Sequence, residues 1–332
     1  MVPLCKALDG FLRIRNIYLL VRVGDSLGEH VAMTAAARLI AQQRHKRVWI
    51  ATTYPAIFDN HPFVERVFDA NRISPWLLRH FITAMKMGGR HFGFFVFRSD
   101  EHRKYVDYCR ETGAREHLVK LQSDHLGLGL DYSDVTPTVV VSEQERRGAT
   151  ARRDWPTPPY SLIHSIGKLD WTRNKTWGPD KFQEVVDRMD HVKWIQVGLP
   201  SDPPLHGTID LRGSTSVREL VILMEGADFV VCQESMLTHL AAAAGTDAVC
   251  VYTGFNTPEV SAYDKVVPVT KDPQVSCAPC WLIDPCPVPG HPCASELPAA
   301  SVVREAERLL AANRAQGHTT PLTRRTGRVE RG

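Results

Sequence analysis

Apolar residues fall along this chain in two alternating rhythms. Short unbroken apolar runs, of strand length, alternate with longer stretches in which apolar positions recur every three or four residues. Residues 16–23 (Asn-Ile-Tyr-Leu-Leu-Val-Arg-Val) predict a strand buried on both faces. A turn containing Gly24, Asp25 and Gly28 follows, then a helix over 29–43 and a second strand at 47–52. That is one βαβ unit with its glycine-containing turn at the carboxyl end of the first strand. Further along, the pattern predicts a helix at 75–87, a strand at 91–97, a helix at 101–112, a strand at 136–141 and a charged helix within 142–153.

The segment 154–159, Asp-Trp-Pro-Thr-Pro-Pro, interrupts regular structure, because each proline removes a donor and restricts the residue before it. A second series follows: strand 160–164, helix 179–189, strand 193–198, helix 216–225, strand 228–232, an Ala-rich helix after Glu234, and strand 248–252. No repeat of fixed period is present. Two series of alternating strands and helices predict an α/β protein with two doubly wound, Rossmann-like domains facing each other across a cleft. The expected division is 1–153, 154–313 and a tail at 314–332.

Composition changes this picture little. Hydrophobic residues at 43% and charged residues at 23% are ordinary for a globular protein, and no apolar run approaches the roughly 20 residues needed to span a bilayer. The start of the chain has no continuous apolar stretch of the secretory kind, so a cytoplasmic location is expected. The net charge of +3 is misleading, since the tail carries five arginines and one glutamate and leaves the rest at −1. Such a tail reads as a solvated, disordered end. The near-neutral body and the α/β alternation speak against a nucleic-acid-binding zinc module.

The chemistry concentrates in a few places. Glu234-Ser235-Met236-Leu237-Thr238-His239 sits where a strand ends and a helix begins, the place where doubly wound sheets bind ligands. Free N–H groups of the new helix can hold an anion, whereas a carboxylate there suits a sugar or ribose hydroxyl. His239 on an Ala-rich helix equally fits a hydrogen-bonded core residue. Arg173 and Lys175, with Lys168 earlier, stand beside another strand end and suit a diphosphate, although an exposed basic loop before Pro179 is the plainer alternative. In the first turn, Asp25 and Glu29 offer two carboxylates, either of which could act as a base; Glu29 could also simply complement the helix dipole.

Together these features resemble glycosyltransferase family 9, the bacterial ADP-heptose:lipopolysaccharide heptosyltransferases and their relatives. The family's Ser-x-Gly-Asp turn is similar to Ser26-Leu27-Gly28-Glu29, with Glu in place of the catalytic Asp. Its Lys-x-Trp-Pro is similar to Lys175-Thr176-Trp177, with Gly178 inserted before Pro179. Its Asp-[Ser/Thr]-Gly-x-x-His-Leu-Ala-Ala-Ala resembles 234–243, with Glu234 for the acid and Met236 for the glycine. The segment 211–220 resembles the family's Gly-x-[Ser/Thr]-x-Leu-x-Glu-Leu.

The resemblance spans about 16–310 and implies a GT-B fold, a nucleotide-sugar donor such as ADP-heptose, and inverting transfer to a lipopolysaccharide core sugar or a protein hydroxyl. No cofactor is implied for catalysis. By position Glu29 would be the base, with Asp25 in reserve. Lys175 and Arg173 would meet the leaving diphosphate, Glu234 the donor hydroxyls, and Ser235, Met236, Leu237, Thr238 and His239 would line the donor. A nucleotide-sugar hydrolase or epimerase, and a catalytically silent sugar-nucleotide-binding protein, are the rival readings. The stretch 75–81 with Lys86, Arg90 and Phe92 could face the acceptor or an anionic membrane, or be an ordinary amphipathic helix and strand.

Cys277, Cys280, Cys286 and Cys293 share one Pro-rich loop. Four thiolates can surround a tetrahedral Zn or Fe; free or redox-labile thiols, or disulfides, would use the same residues differently. A subset of the family that modifies autotransporter adhesins is similar in carrying a four-cysteine iron site, with longer spacings.

Overall fold

A computed structural model describes residues 2–74, 91–94, 102–167, 171–272 and 274–315. The chain divides into two compact units between Ser142 and Glu143.

In the first unit, four parallel strands lie in the order β3-β2-β1-β4: β1 (Ile17–Arg22), β2 (Arg47–Thr52), β3 (Val64–Asp69) and β4 (Phe92–Phe94). All six residues of β1 are buried, as an unbroken apolar run at the centre of a parallel sheet requires. Helix α1 (Val2–Ile14) packs on β1, and α2 (Leu27–Arg44) makes the crossover to β2. The crossover helix ends at His45, whose left-handed backbone (φ 50°) stops it. Helices α3 (His102–Thr112) and α4 (Leu118–Ser123) follow.

The βαβ unit of the sequence is therefore present, and α1 and β3 are additions to it. The helix expected at 75–87, its proposed acceptor or membrane face, and 95–97 of the next strand lie outside the described residues. The strand expected at 136–141 is not a member of the described sheet. Thr138 there donates its N–H to Thr34 Oγ1 on α2 (2.8 Å), which tucks the alternating Val139 and Val141 inward without a strand assignment.

The second unit carries six parallel strands in the order β10-β9-β8-β5-β6-β7: β5 (Ser161–His164), β6 (Trp194–Gln196), β7 (Thr208–Asp210), β8 (Val230–Gln233), β9 (Ala248–Tyr252) and β10 (Val266–Thr270). Counted from β5, this is the doubly wound order 3-2-1-4-5-6. The direction of winding reverses between β5 and β8, and the carboxyl ends at such a reversal are where doubly wound sheets bind ligands. Its longer helices are α5 (Glu143–Thr150), α6 (Pro179–Arg188), α7 (Val217–Glu225), α8 (Met236–Ala244) and α9 (Ala299–Ala315).

One core joins sheet and helices: Ile163, Trp194, Phe229, Val231 and Val249 pack with Phe182 and Val185 of α6 and with Val302, Ala306 and Leu309 of α9. Trp194 meets Phe229 edge-on, with ring centroids 5.6 Å apart. Each fully buried large side chain here contributes roughly 2 kcal/mol.

The Pro-rich stretch 154–159, where the sequence placed the boundary, lies inside this unit. Helix α5 belongs to the unit because its charges are paired there: Arg146 donates to both carboxylate oxygens of Glu225 (2.8 Å each), and Arg218 of α7 pairs with Glu145. Arg152, just beyond α5, reaches Glu219 on α7 (2.8 Å).

Helix α7 starts on a reciprocal cap in which Ser216 Oγ accepts from Glu219 N and the Glu219 carboxylate accepts from Ser216 N. Ser216→Ala should lower unfolding free energy by about 1 kcal/mol, read as a lower urea midpoint. Ser216→Asn should retain most of it, since Asn also caps well.

Candidate functional site

In the first unit the candidate residues lie on the turn between β1 and α2. Gly24 takes φ 117°, a conformation that L residues rarely adopt, and lets the chain leave β1 sharply. Arg22, the last residue of β1, is buried and pairs with Glu29 in the first turn of α2. Burial pushes the guanidinium down to about 10, with the nearby Asp25 charge acting the other way, so Arg22 stays a cation at neutral pH. Glu29 is half-buried beside it, whereas Asp25 is exposed on the turn.

Buried His30 braces the same turn. Its Nδ1 donates to Ser26 O (2.8 Å), and its Nε2 lies 3.2 Å from Thr53 Oγ1, whose hydroxyl donates to Gly24 O (2.6 Å). Tyr54 packs edge-on against the ring, centroids 4.8 Å apart. Burial pushes the His30 imidazole down to about 4 and keeps it neutral. The two carboxylates thus sit on a rigid turn, and one of them is tied to a buried cation.

In the second unit the candidates gather at the carboxyl ends of β5, β8 and β9, at the winding reversal. Glu234 follows β8 directly, and its N–H donates to Val251 O (3.1 Å), which fixes it beside β9. Its side chain is buried and ion-paired with Lys175. Burial alone would raise the Glu234 carboxyl, but Lys175 foremost, assisted by Ser261, more than offsets it and holds the group below its ordinary value. Lys175 Nζ lies 4.8 Å from the centroid of Trp171 and 5.0 Å from that of Phe255, and these two rings meet edge-on at 5.1 Å. Two aromatic faces and one carboxylate therefore box the ammonium. Arg173 is exposed on the same loop.

Beyond Glu234, Ser235 caps α8: its Oγ accepts from Leu237 N (3.4 Å), and Thr238 Oγ1 accepts from Ser235 N (3.4 Å). The expected presentation of first-turn N–H groups is thus partly taken up by the helix's own cap. Leu237 and Thr238 are buried, Thr238 against Cys250 Sγ (3.3 Å), and Met236 is half-buried at the helix start. His239 is buried and shares a 2.6 Å hydrogen bond with the Tyr263 hydroxyl. Burial drives its imidazole down to about 4, against the pull of Glu234, so it is neutral.

At the neighbouring strand ends lie buried polar atoms with no partner among the described residues: Ser165 Oγ and His164 Nδ1 at the end of β5, and Gln233 Nε2 at the end of β8. Gln233 Oε1 meanwhile accepts from Trp177 N (3.4 Å). Such groups are costly unless something else meets them. They stand where a bound polar ligand would supply partners. Lys168, expected to join the cations, lies outside the described residues.

The four loop cysteines are thiols, with Cys277 exposed and Cys293 buried. Burial first, and then the neighbouring thiols, push Cys293 up to about 11 and Cys280 in the same direction. Among the described residues no three or more His, Cys, Asp or Glu side chains are gathered as a metal ion requires. The expected Zn or Fe set of Cys277, Cys280, Cys286 and Cys293 is thus not shown among the described residues. The loop is held instead by main-chain bonds and rings: Cys280 N donates to Gly254 O and Trp281 N to Phe255 O (2.9 Å each), while Trp281 packs against Phe255.

Sequence reasoning missed Trp171, Phe255 and Tyr263, and it gave Arg22 no role. An arginine closing an otherwise apolar strand was the available signal for Arg22. The aromatic box has none, since its rings come from separate loops.

Four buried imidazoles, His30, His61, His164 and His239, are all pushed down to about 4 by burial, from an ordinary value of 6.5. Between those values the unfolded chain binds the extra protons, so the stability from keeping these rings neutral is complete above 6.5 and fades as pH falls towards 4. Urea midpoints should drop across that window, and His239→Gln should flatten the slope; a midpoint constant from pH 6.5 to 4.5 contradicts this.

The sequence model of glycosyltransferase family 9 (heptosyltransferase) matches residues 74–284, more than half of the chain. No curated protein matches the sequence. Among solved structures, a family 9 glycosyl transferase from Veillonella parvula is similar over 90% of this chain and 98% of its own, at 13% identity and TM-score 0.62. The iron-containing dodecameric glycosyltransferase TibC of enterotoxigenic E. coli is similar over 90% and 77%, at 15% identity and TM-score 0.63. E. coli heptosyltransferase WaaC with ADP is similar over 88% and 99%, at 16% identity and TM-score 0.54. These likenesses establish the GT-B architecture of the heptosyltransferases. Family match, paired parallel sheets and motif order agree, and the chain belongs to glycosyltransferase family 9.

Proposed function

We propose that this glycosyltransferase moves a heptose from ADP-heptose to a hydroxyl of a lipopolysaccharide core sugar or of a protein, with inversion at the anomeric carbon. The observation that carries the reading is the boxed Lys175–Glu234 pair at the winding reversal of the second unit. TibC and WaaC have been solved with ADP-D-β-D-heptose and with ADP, respectively, which supports a donor of this chemical class.

The chemistry follows from charge. As the bond between the anomeric carbon and the diphosphate breaks, negative charge builds on the leaving oxygens. A cation already fixed in place stabilises that charge without reorganising. Lys175 is so fixed, and Arg173 on the same loop adds a second positive charge. Glu234, held ionised by Lys175, accepts hydrogen bonds from donor hydroxyls. The unsatisfied Ser165, His164 and Gln233 atoms offer further polar contacts to the donor. The acceptor hydroxyl attacks from the opposite side as a base takes its proton.

Glu29 is the assigned base, with Asp25 as the alternative. Arg22 holds the Glu29 carboxylate at the start of α2 through their ion pair. Peripheral contact with the inner membrane would accompany a glycolipid acceptor.

The test is mass spectrometry of products after incubation with ADP-heptose and either core oligosaccharide or hydroxyl-bearing protein acceptors. The expected product is acceptor plus one heptosyl unit, with ADP released. Lys175→Met, checked for folding by circular dichroism, should cut turnover by about 10²–10³-fold. Free heptose without acceptor would indicate a hydrolase instead. Full transfer rate in both Glu29→Gln and Asp25→Asn would overturn the assignment of the base.

A further inference from the structure

Buried Asn174 stands next to Lys175 in the chain, and its side-chain amide reaches the four-cysteine loop. Its amide nitrogen donates to two main-chain oxygens there, Leu282 O (2.6 Å) and Asp284 O (2.8 Å). Its own carbonyl accepts from Thr253 Oγ1 (2.7 Å), just after β9. Thr172, two residues earlier, donates to the same Leu282 O (3.1 Å) and accepts from Asn174 N (3.1 Å). Three side-chain bonds therefore run from the Lys175 segment to 282–284, and one ties it to the end of β9.

A second tie runs through rings. Trp281, fully buried and in a left-handed conformation (φ 52°), meets Phe255 at 5.5 Å between centroids. Phe255 meets Trp171 at 5.1 Å, and both of these rings face the ammonium of Lys175. At Gly254 a Cβ would come within 3.1 Å of the Cβ atoms of Cys293 and Ala278, so the loop lies directly on the backbone that carries Phe255. The cysteine loop is thus the outer wall of the lysine's box.

We infer that Asn174 and Trp281 are positioning residues: they fix Lys175 by fastening its segment and its aromatic box to the four-cysteine loop. A long lysine side chain has several rotatable bonds and loses considerable freedom when held in one place. A single carboxylate at hydrogen-bond range holds the charge but not the direction of approach. The wall behind Trp171 and Phe255 supplies that direction, and the Asn174 amide anchors the backbone from which Lys175 extends. These bonds and rings are what fasten so Pro-rich a segment to this side of the unit. Its effect on the donor rests on the reading of Lys175 as the cation that meets the diphosphate; its effect on Lys175 does not.

The experiment uses the full chain and two readouts. The first is competitive acetic-anhydride labelling of the Lys175 amine, followed by mass spectrometry, which needs no ligand. The second is calorimetric titration with ADP. Asn174→Ala should label severalfold faster at Lys175 than the parent protein and bind ADP about tenfold more weakly, the size of two lost hydrogen bonds. Trp281→Leu should behave alike, and Trp281→Phe, which restores a ring, should return both readings towards the parent.

If Asn174→Ala does not fold, Thr172→Val removes one of the same bonds with little change of shape and should give a smaller shift of the same sign. Unchanged labelling of Lys175 in a folded Asn174→Ala or Thr172→Val protein overturns the inference, as does Trp281→Phe matching Trp281→Leu. Faster labelling with unchanged ADP affinity upholds the positioning of Lys175 and overturns instead the assignment of Lys175 to the donor.

Discussion

One buried ion pair organises the carboxyl ends of the second unit's strands. Glu234 leaves β8 at the point where the sheet's winding reverses, and a carboxylate there cannot stay ionised and buried without a cation at hand. Lys175 meets that need, and its own position is set by the faces of Trp171 and Phe255. The arrangement is costly as a source of stability, since two hydrated groups are withdrawn from water. Its value lies in holding a charge of defined sign at a defined place. In the proposed reaction that fixed charge meets the departing diphosphate.

The first unit solves a related problem with opposite emphasis. There the buried group is the cation, Arg22 at the end of β1, and the carboxylate of Glu29 is the partner. The turn between them is stiffened by neutral His30, by Thr53 and by the Gly24 conformation. In both units the strand-to-helix junction carries a salt bridge, and in both a neutral buried histidine lies close by. Departure from the family's Asp to Glu at both places lengthens each acid by one methylene; here each longer carboxylate reaches a basic partner within its own unit.

Much of this was legible in the sequence, for reasons that can be stated. Strand β8 and helix α8 combine an unbroken apolar run with an Ala-rich stretch and a Ser cap, so local pattern alone placed Glu234 at their junction. The pairing of Lys175 with Glu234 was within reach only through the order of the family motifs, since nothing local joins two loops distant in sequence. Trp171, Phe255 and Tyr263 were out of reach for that reason: each is an aromatic residue in a loop, and its role exists only where loops meet. Helix α9 was missed although its apolar positions are periodic, and strands β7 and β10 because they are short or half-exposed. The four cysteines have a spacing that suits a metal, a role the described residues do not show, whereas the fastening of their loop by Asn174, Thr172 and Trp281 left no mark in the sequence.

The most direct measurement of the central claim is a crystal structure of the full chain with ADP-heptose bound. Diphosphate oxygens are expected within hydrogen-bond distance of Lys175 Nζ and a sugar hydroxyl on Glu234, at the carboxyl ends of β5 and β8. A donor seated elsewhere, with the Lys175–Glu234 pair still closed and untouched, would contradict it.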